Sequence, residues 1–288
     1  HSENKIMGKI LLSQIVGTNI AYYRYSFDYF LDSMDELGIH QIEIWGGSNH
    51  FSIYDSAKDQ TRYLKKKLKS RGFRCISMMP EQNVYAVNIA IEDEYIREKS
   101  IAYIERFIEA CSELECSRFL LNPGRPYLDL PMSEGYKWAR DSVEKLIRCA
   151  EKKNVILMFE NLNDRESCLA TNAQDQYRII KDIDSPYLAC CVDTVPVACM
   201  GEKLEQYFEL MGEKLVHIHL NDGKPWGHMK WGDGNQNLDE HLNAMRKYNY
   251  TGYIDLEIDN GSYLLDPTPH YREDLEAVIP HFDGGVLI

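Results

Sequence analysis

The chain has 288 residues, 44% of them hydrophobic and 27% charged, an ordinary composition for a soluble globular protein. A formal charge of −13 argues against a phosphate-backbone ligand, because nucleic-acid-binding proteins usually present a basic face, and it favours a small-molecule ligand. Eight cysteines without a C-x-x-C pair fit free thiols in a reducing cytoplasm better than a disulfide framework, and neither a membrane-length apolar run nor a signal peptide is present.

Residues 1–8 are set aside as a start that is disordered or foreign to the fold. Residues 9–16 then predict a first strand, followed by a helix over 26–37 with Ser26 as N-cap and Gly38 at its stop. Further strands are expected at 41–47, 73–79, 118–122, 155–160, 188–193, 215–219 and 253–257. Helical patterns fall at 56–71, 92–114, 133–153, 171–183, 203–212, 237–248 and 271–278. Eight strands alternating with eight helices predict an α/β chain folded as one (β/α)8 TIM barrel over 9–282. A doubly wound open sheet is disfavoured by the lack of a Gly-rich phosphate loop after the first strand. Residues 283–288 read as a tail, disordered or tucked against a partner subunit.

The stretch Val155-Ile-Leu-Met-Phe-Glu160 is a buried strand ending in a carboxylate, an unfavourable arrangement unless the charge finds a partner. The same shape recurs in strands ending at Asp193, His219 and Glu257, on consecutive βα units. Catalytic groups in a barrel project from these strand ends. Three carboxylates gathered there would repel one another, and a divalent cation removes the conflict. An oxygen-rich set with one imidazole suits one Mn²⁺ per chain, with Mg²⁺ or Co²⁺ as alternatives. His217, in the same strand as His219, is expected to face away from the site into packed core. Glu43 is read as pointing into the barrel and supporting the site.

Several motifs carry a resemblance: Ile42-Glu-Ile-Trp-Gly-Gly-Ser-Asn-His50-Phe, Pro80-Glu81 with Asn88, Glu160 with Glu166, Asp193, His217-Ile-His219 with Asp222, His228-x-x-x-Gly232-Asp-Gly234, and Glu257. Together they resemble the xylose isomerase-like TIM barrel superfamily, and within it the ketose 3-epimerases that act on tagatose, psicose and fructoselysine. The resemblance implies that Glu160, Asp193, His219 and Glu257 hold the metal. It also implies that Glu160 and Glu257 act as a paired acid and base, inverting the carbon next to a ketone through a metal-stabilised enediolate. Trp45, His50, Glu81, Asn122, Glu166, Asp222 and His228 are the expected substrate contacts. Two positions depart from the family pattern: Pro196 replaces a His and Pro225 replaces an Arg, both contacts near the reacting carbonyl, which implies that the sugar is held differently here or is not a simple ketose.

The expected partner is a small-molecule sugar or sugar derivative, with a homo-oligomer by analogy, no nucleic acid and no membrane. A lyase acting on 3-oxo-glycosides, in the manner of the C-deglycosylating enzymes, is the alternative, and would require a second small subunit. An endonuclease IV-like nuclease would need a richer His cluster and a basic face.

Overall fold

The computed structural model describes residues 6–288 except 48–49, 52, 54–56 and 83–85. Among these residues eight parallel strands close in chain order into a barrel. They are β1 (Ile15–Thr18), β2 (Gln41–Gly46), β3 (Arg74–Pro80), β4 (Arg118–Leu121), β5 (Ile156–Glu160), β6 (Leu188–Asp193), β7 (Leu215–His219) and β8 (Tyr253–Leu256), with β8 pairing back to β1. Helices cover the outside: α1 (Phe27–Leu37), α2 (Ala57–Ser70), α3 (Glu94–Glu113), α4 (Met132–Lys153), α5 (Ala173–Ile183), α7 (Leu204–Met211), α8 (Leu238–Lys247) and α9 (Pro267–Val278). A short α6 (Thr194–Cys199) follows β6 directly.

Local chemistry accounts for the element ends. The Ser26 hydroxyl accepts the Tyr29 N–H at 3.1 Å to cap α1, whose Phe30, Leu31, Met34 and Leu37 are buried. Gly38, at φ 77°, takes the left-handed turn that ends it. Asp93 caps α3 through the Ile96 N–H at 2.9 Å.

Strand residues alternate faces, so positions two apart share one. One set packs outward against the helices in the main core; the other fills the barrel interior. Met79, Leu120, Met158 and Cys191 form an inner apolar cluster with Trp45 packed against it. Glu43, Ser77, His217 and Asp255 are buried among these strands.

Three elements differ most from expectation. The first strand begins at Ile15, because residues Leu12–Gln14 form a 3-10 turn in which Gln14 Oε1 accepts the Leu11 N–H at 2.7 Å. Helix α6 has six residues, too few for an apolar period to show in the sequence, and is set by its cap: Asp193 Oδ1 accepts the Val195 N–H at 2.9 Å. Helix α9 starts at Pro267, four residues earlier than expected, with proline in the first turn where its missing N–H costs nothing.

The tail lies on its own barrel. Asp283 N–H donates to Ile10 O at 2.8 Å, Leu12 N–H to Gly284 O at 2.9 Å, and His40 N–H to Ile288 O at 2.6 Å. No helix among the described residues is long and apolar enough to cross a membrane.

Candidate metal centre and active site

The carboxyl ends of β5, β6, β7 and β8 bring together Glu160, Asp193, His219 and Glu257. Each is less than a tenth exposed. His219 is the hub. Its Nδ1 lies 3.0 Å from Glu160 Oε1 and 3.3 Å from Glu257 Oε2. Its Nε2 points down the barrel and donates to Glu43 Oε1 at 2.8 Å. A carboxylate behind a histidine fixes the ring and leaves the other nitrogen facing the site, the arrangement common behind metal-bound imidazoles. Asn161 ties the β5 and β6 ends together: its Oδ1 accepts the Asp193 N–H at 2.8 Å and its Nδ2 donates to Asp193 O at 3.2 Å.

The electrostatics of this cluster are those of a site short of positive charge. Burial pushes the Glu160 carboxyl up to about 7, and the nearby Asp193 and Glu43 charges add to the rise that His219 opposes. Burial also lifts Glu257 well above the carboxylate range, with Glu160 and Asp193 contributing. His219 is held well above its ordinary value: burial lowers it, but Glu257, Cys191, Glu43 and Glu160 together outweigh that. Donor atoms of Asp193, His219 and Glu257 lie within 4.8 Å of one another, as do those of Glu160, Cys191 and His219. Carboxylates that take protons, around an imidazole that takes another, are the donor set a divalent cation would satisfy in their place. The residues therefore fit a cation.

His228 comes closer to the centre than a loop histidine need. Its Nε2 is 2.7 Å from Asp193 Oδ2 and 3.8 Å from Glu257 Oε1. Burial lowers its pKa, yet Asp193, Glu257 and Asp259 carry it well above normal. Glu166 sits beside it, its carboxyl raised by burial, and its Oε2 accepts the Asn163 N–H at 3.2 Å. Outside them, Arg165 lies over the Trp226 ring, 3.7 Å from the centroid, so the loops after β5 and β7 meet at the mouth.

The other sequence-derived contacts have varied places. Trp45 is half-buried at the end of β2; its N–H donates to Asn19 Oδ1 at 2.6 Å. His50 is tied to the loop after β1, with Nδ1 2.8 Å from Asn19 Nδ2 and Nε2 2.7 Å from Tyr25 O, and burial lowers its pKa. Asn122 N–H donates to Gln82 Oε1 at 3.1 Å at the end of β4. Glu81 is half-buried after β3, where its carbonyl accepts from the Tyr103 hydroxyl at 3.3 Å. Asp222 spends its carboxylate on the loop after β7, accepting the N–H groups of Gly223 (2.8 Å), Gly232 (3.1 Å), Gly234 (2.9 Å) and Gln236 (3.0 Å).

His217 does not face away from the site. Both His217 and His219 point into the barrel, with ring centroids 5.2 Å apart, because residues two apart in a strand share a face. The same rule identifies Asp255, two before Glu257, as a further inward-facing acid; its carboxylate is fully buried beneath the site.

A family model described as "Xylose isomerase-like TIM barrel" matches residues 31–281. Fructoselysine 3-epimerase of Shigella flexneri is 28% identical over 267 residues, covering 90% of this chain and 95% of that one. A D-tagatose 3-epimerase-like protein of known structure superposes with a TM-score of 0.77 at 20% identity, covering 93% of this chain and 99% of its own. The 3-keto-D-glucoside 4-epimerase YcjR of E. coli gives 0.76 at 19% identity, over 91% and 97%.

Proposed function

Because the chain belongs to the xylose isomerase-like TIM barrel family, we propose that it is a divalent-metal-dependent sugar epimerase that inverts the carbon beside a ketone. The observation that carries this reading is the placing of Glu160 and Glu257 against one nitrogen of His219, at 3.0 and 3.3 Å. The names of the relatives, epimerases of fructoselysine and of a tagatose type, point to the same chemistry.

Glu160, Asp193, His219 and Glu257 would hold the cation, for which Mn²⁺ suits the oxygen-rich set best, with Mg²⁺ and Co²⁺ as alternatives. When bound, it supplies Lewis-acid polarisation of the substrate carbonyl, which acidifies the neighbouring C–H. The remaining work belongs to side chains. Glu160 and Glu257, from β5 and β8, would flank a sugar lying between them, one at each face. One takes the proton from the carbon beside the ketone and the other returns a proton to the opposite face. His228 and Glu166, at the mouth, meet sugar hydroxyls. Glu43 keeps the His219 ring in register from below.

The test is proton exchange in D₂O with fructoselysine, tagatose and psicose, on protein whose metal content is measured by elemental mass spectrometry. The expected result is a single deuteron at the carbon beside the ketone together with an inverted product. Glu257→Gln should lower that rate at least ~10³-fold, the scale of losing a positioned acid–base group, while the circular dichroism spectrum stays unchanged. Exchange in the mutant at the wild-type rate would remove the two-glutamate mechanism; elimination of a substituent in place of inversion would favour the lyase.

A further inference from the structure

We propose that the barrel interior beneath this site binds a second divalent cation of the zinc type, held by Glu43, His217, Asp255 and the Nε2 of His219. Strand alternation sets the position: Asp255 lies two residues before Glu257 and His217 two before His219, so both point inward one layer lower, where Glu43 meets them from β2. All four side chains are fully buried, and one donor atom from each lies within 4.8 Å of the other three.

The separations are those of a coordination shell. His219 Nε2 is 2.8 Å from Glu43 Oε1 and 3.9 Å from Asp255 Oδ2; His217 Nε2 is 3.1 Å from Glu43 Oε2 and 3.7 Å from Asp255 Oδ2. Tetrahedral zinc with bonds of about 2.0–2.2 Å to nitrogen and oxygen places its donors roughly 3.3–3.6 Å apart. The observed distances, which involve both oxygens of Glu43, scatter from 2.8 to 3.9 Å about that edge, so small shifts of the side chains would close the shell.

A second observation points to a ligand. Neither carboxylate oxygen of Asp255 and neither ring nitrogen of His217 has a hydrogen-bond partner of acceptable geometry, although both residues are wholly enclosed. A buried carboxylate and a buried imidazole left without partners are costly. One divalent cation satisfies both, and it neutralises the two carboxylates of the set. Ser77 Oγ donates to Glu43 Oε2, the kind of outer hydrogen bond that steadies a ligating carboxylate. Two imidazoles and two carboxylates with no open position make a closed, structural centre, unlike the oxygen-rich set above it. His219 joins the two levels, Nδ1 upward and Nε2 downward; with a cation on each nitrogen its ring would be an imidazolate, the Nε2 proton lost to water as the chain folds around the lower cation.

The experiment is anomalous X-ray scattering on both sides of the zinc absorption edge, using crystals of the wild-type chain unfolded, refolded with zinc sulfate and then dialysed against EDTA. The expected result is a zinc peak enclosed by Glu43, His217 and Asp255 that survives the chelator, because the site is sealed from solvent. Zinc content should then fall by one per chain in Asp255→Asn and be retained in Asp193→Ala. An absence of zinc between these side chains in the wild-type crystals, including the case where zinc sits only between Asp193 and Glu257, overturns the proposal whether or not the variants fold.

Discussion

Asp222 shows how one side chain can organise the loop that borders the site. Its carboxylate gathers four backbone N–H groups of the loop after β7, and the same loop carries His228 into the centre. Replacing Asp222 with Ala leaves those N–H groups seeking new partners at about 1–3 kcal/mol for each one that stays buried. Urea unfolding should show a loss of about 3 kcal/mol, with proteolysis concentrated between Gly223 and Gln236. His241 bears on pH in a different way. It is buried against Trp231, neither ring nitrogen has a partner, and burial lowers its pKa to about 4. The unfolded chain binds a proton there below about 6.5 and the folded chain does not. Its contribution to stability is therefore present above about pH 6.5 and is lost as pH falls toward 4. Between pH 6.5 and 5 the wild type should lose about 2 kcal/mol that His241→Leu does not, read as the difference in their urea midpoints at the two pH values.

At the scale of elements, the strands that carry the site were the most legible. β6 and β7 fall where the apolar runs place them, and β5 and β8 agree to within one residue at an end, because strands covered on both faces are rich in apolar residues even where His217 and Asp255 interrupt them. β1 was misplaced because Ile10 and Leu12 continue the apolar run below the barrel, and a 3-10 turn leaves no periodic trace. α6 was missed because its stability comes from the Asp193 cap rather than from an apolar stripe. The approach of His217 to Glu43 and the burial of Asp255 depend on closing the barrel, which brings β2, β7 and β8 to one axis; no local pattern encodes that meeting. The α1 cap, by contrast, was plain in the sequence. Ser26→Ala should lower stability by about 1 kcal/mol, seen as a drop in melting temperature with unchanged turnover.

Across the whole molecule, residues 283–288 are joined to Ile10, Leu12 and His40 at the foot of the barrel. Asp283 accepts the Ile10 N–H at 2.8 Å and the Arg246 Nε–H at 2.7 Å, while Ile288 O accepts the His40 N–H at 2.6 Å. Removing residues 283–288 deletes these links and should cost about 2–4 kcal/mol, taking about 1 kcal/mol for each hydrogen bond. Chemical denaturation of the truncated chain, with circular dichroism to show the barrel retained, checks this. The same clasp decides how the protein can be handled. A tether or dye joined to Ile288 leaves from the foot of the barrel, at the opposite end from the rim of Asp193 and His228. Molecules fixed to a surface by that end would all turn their mouths toward the solution.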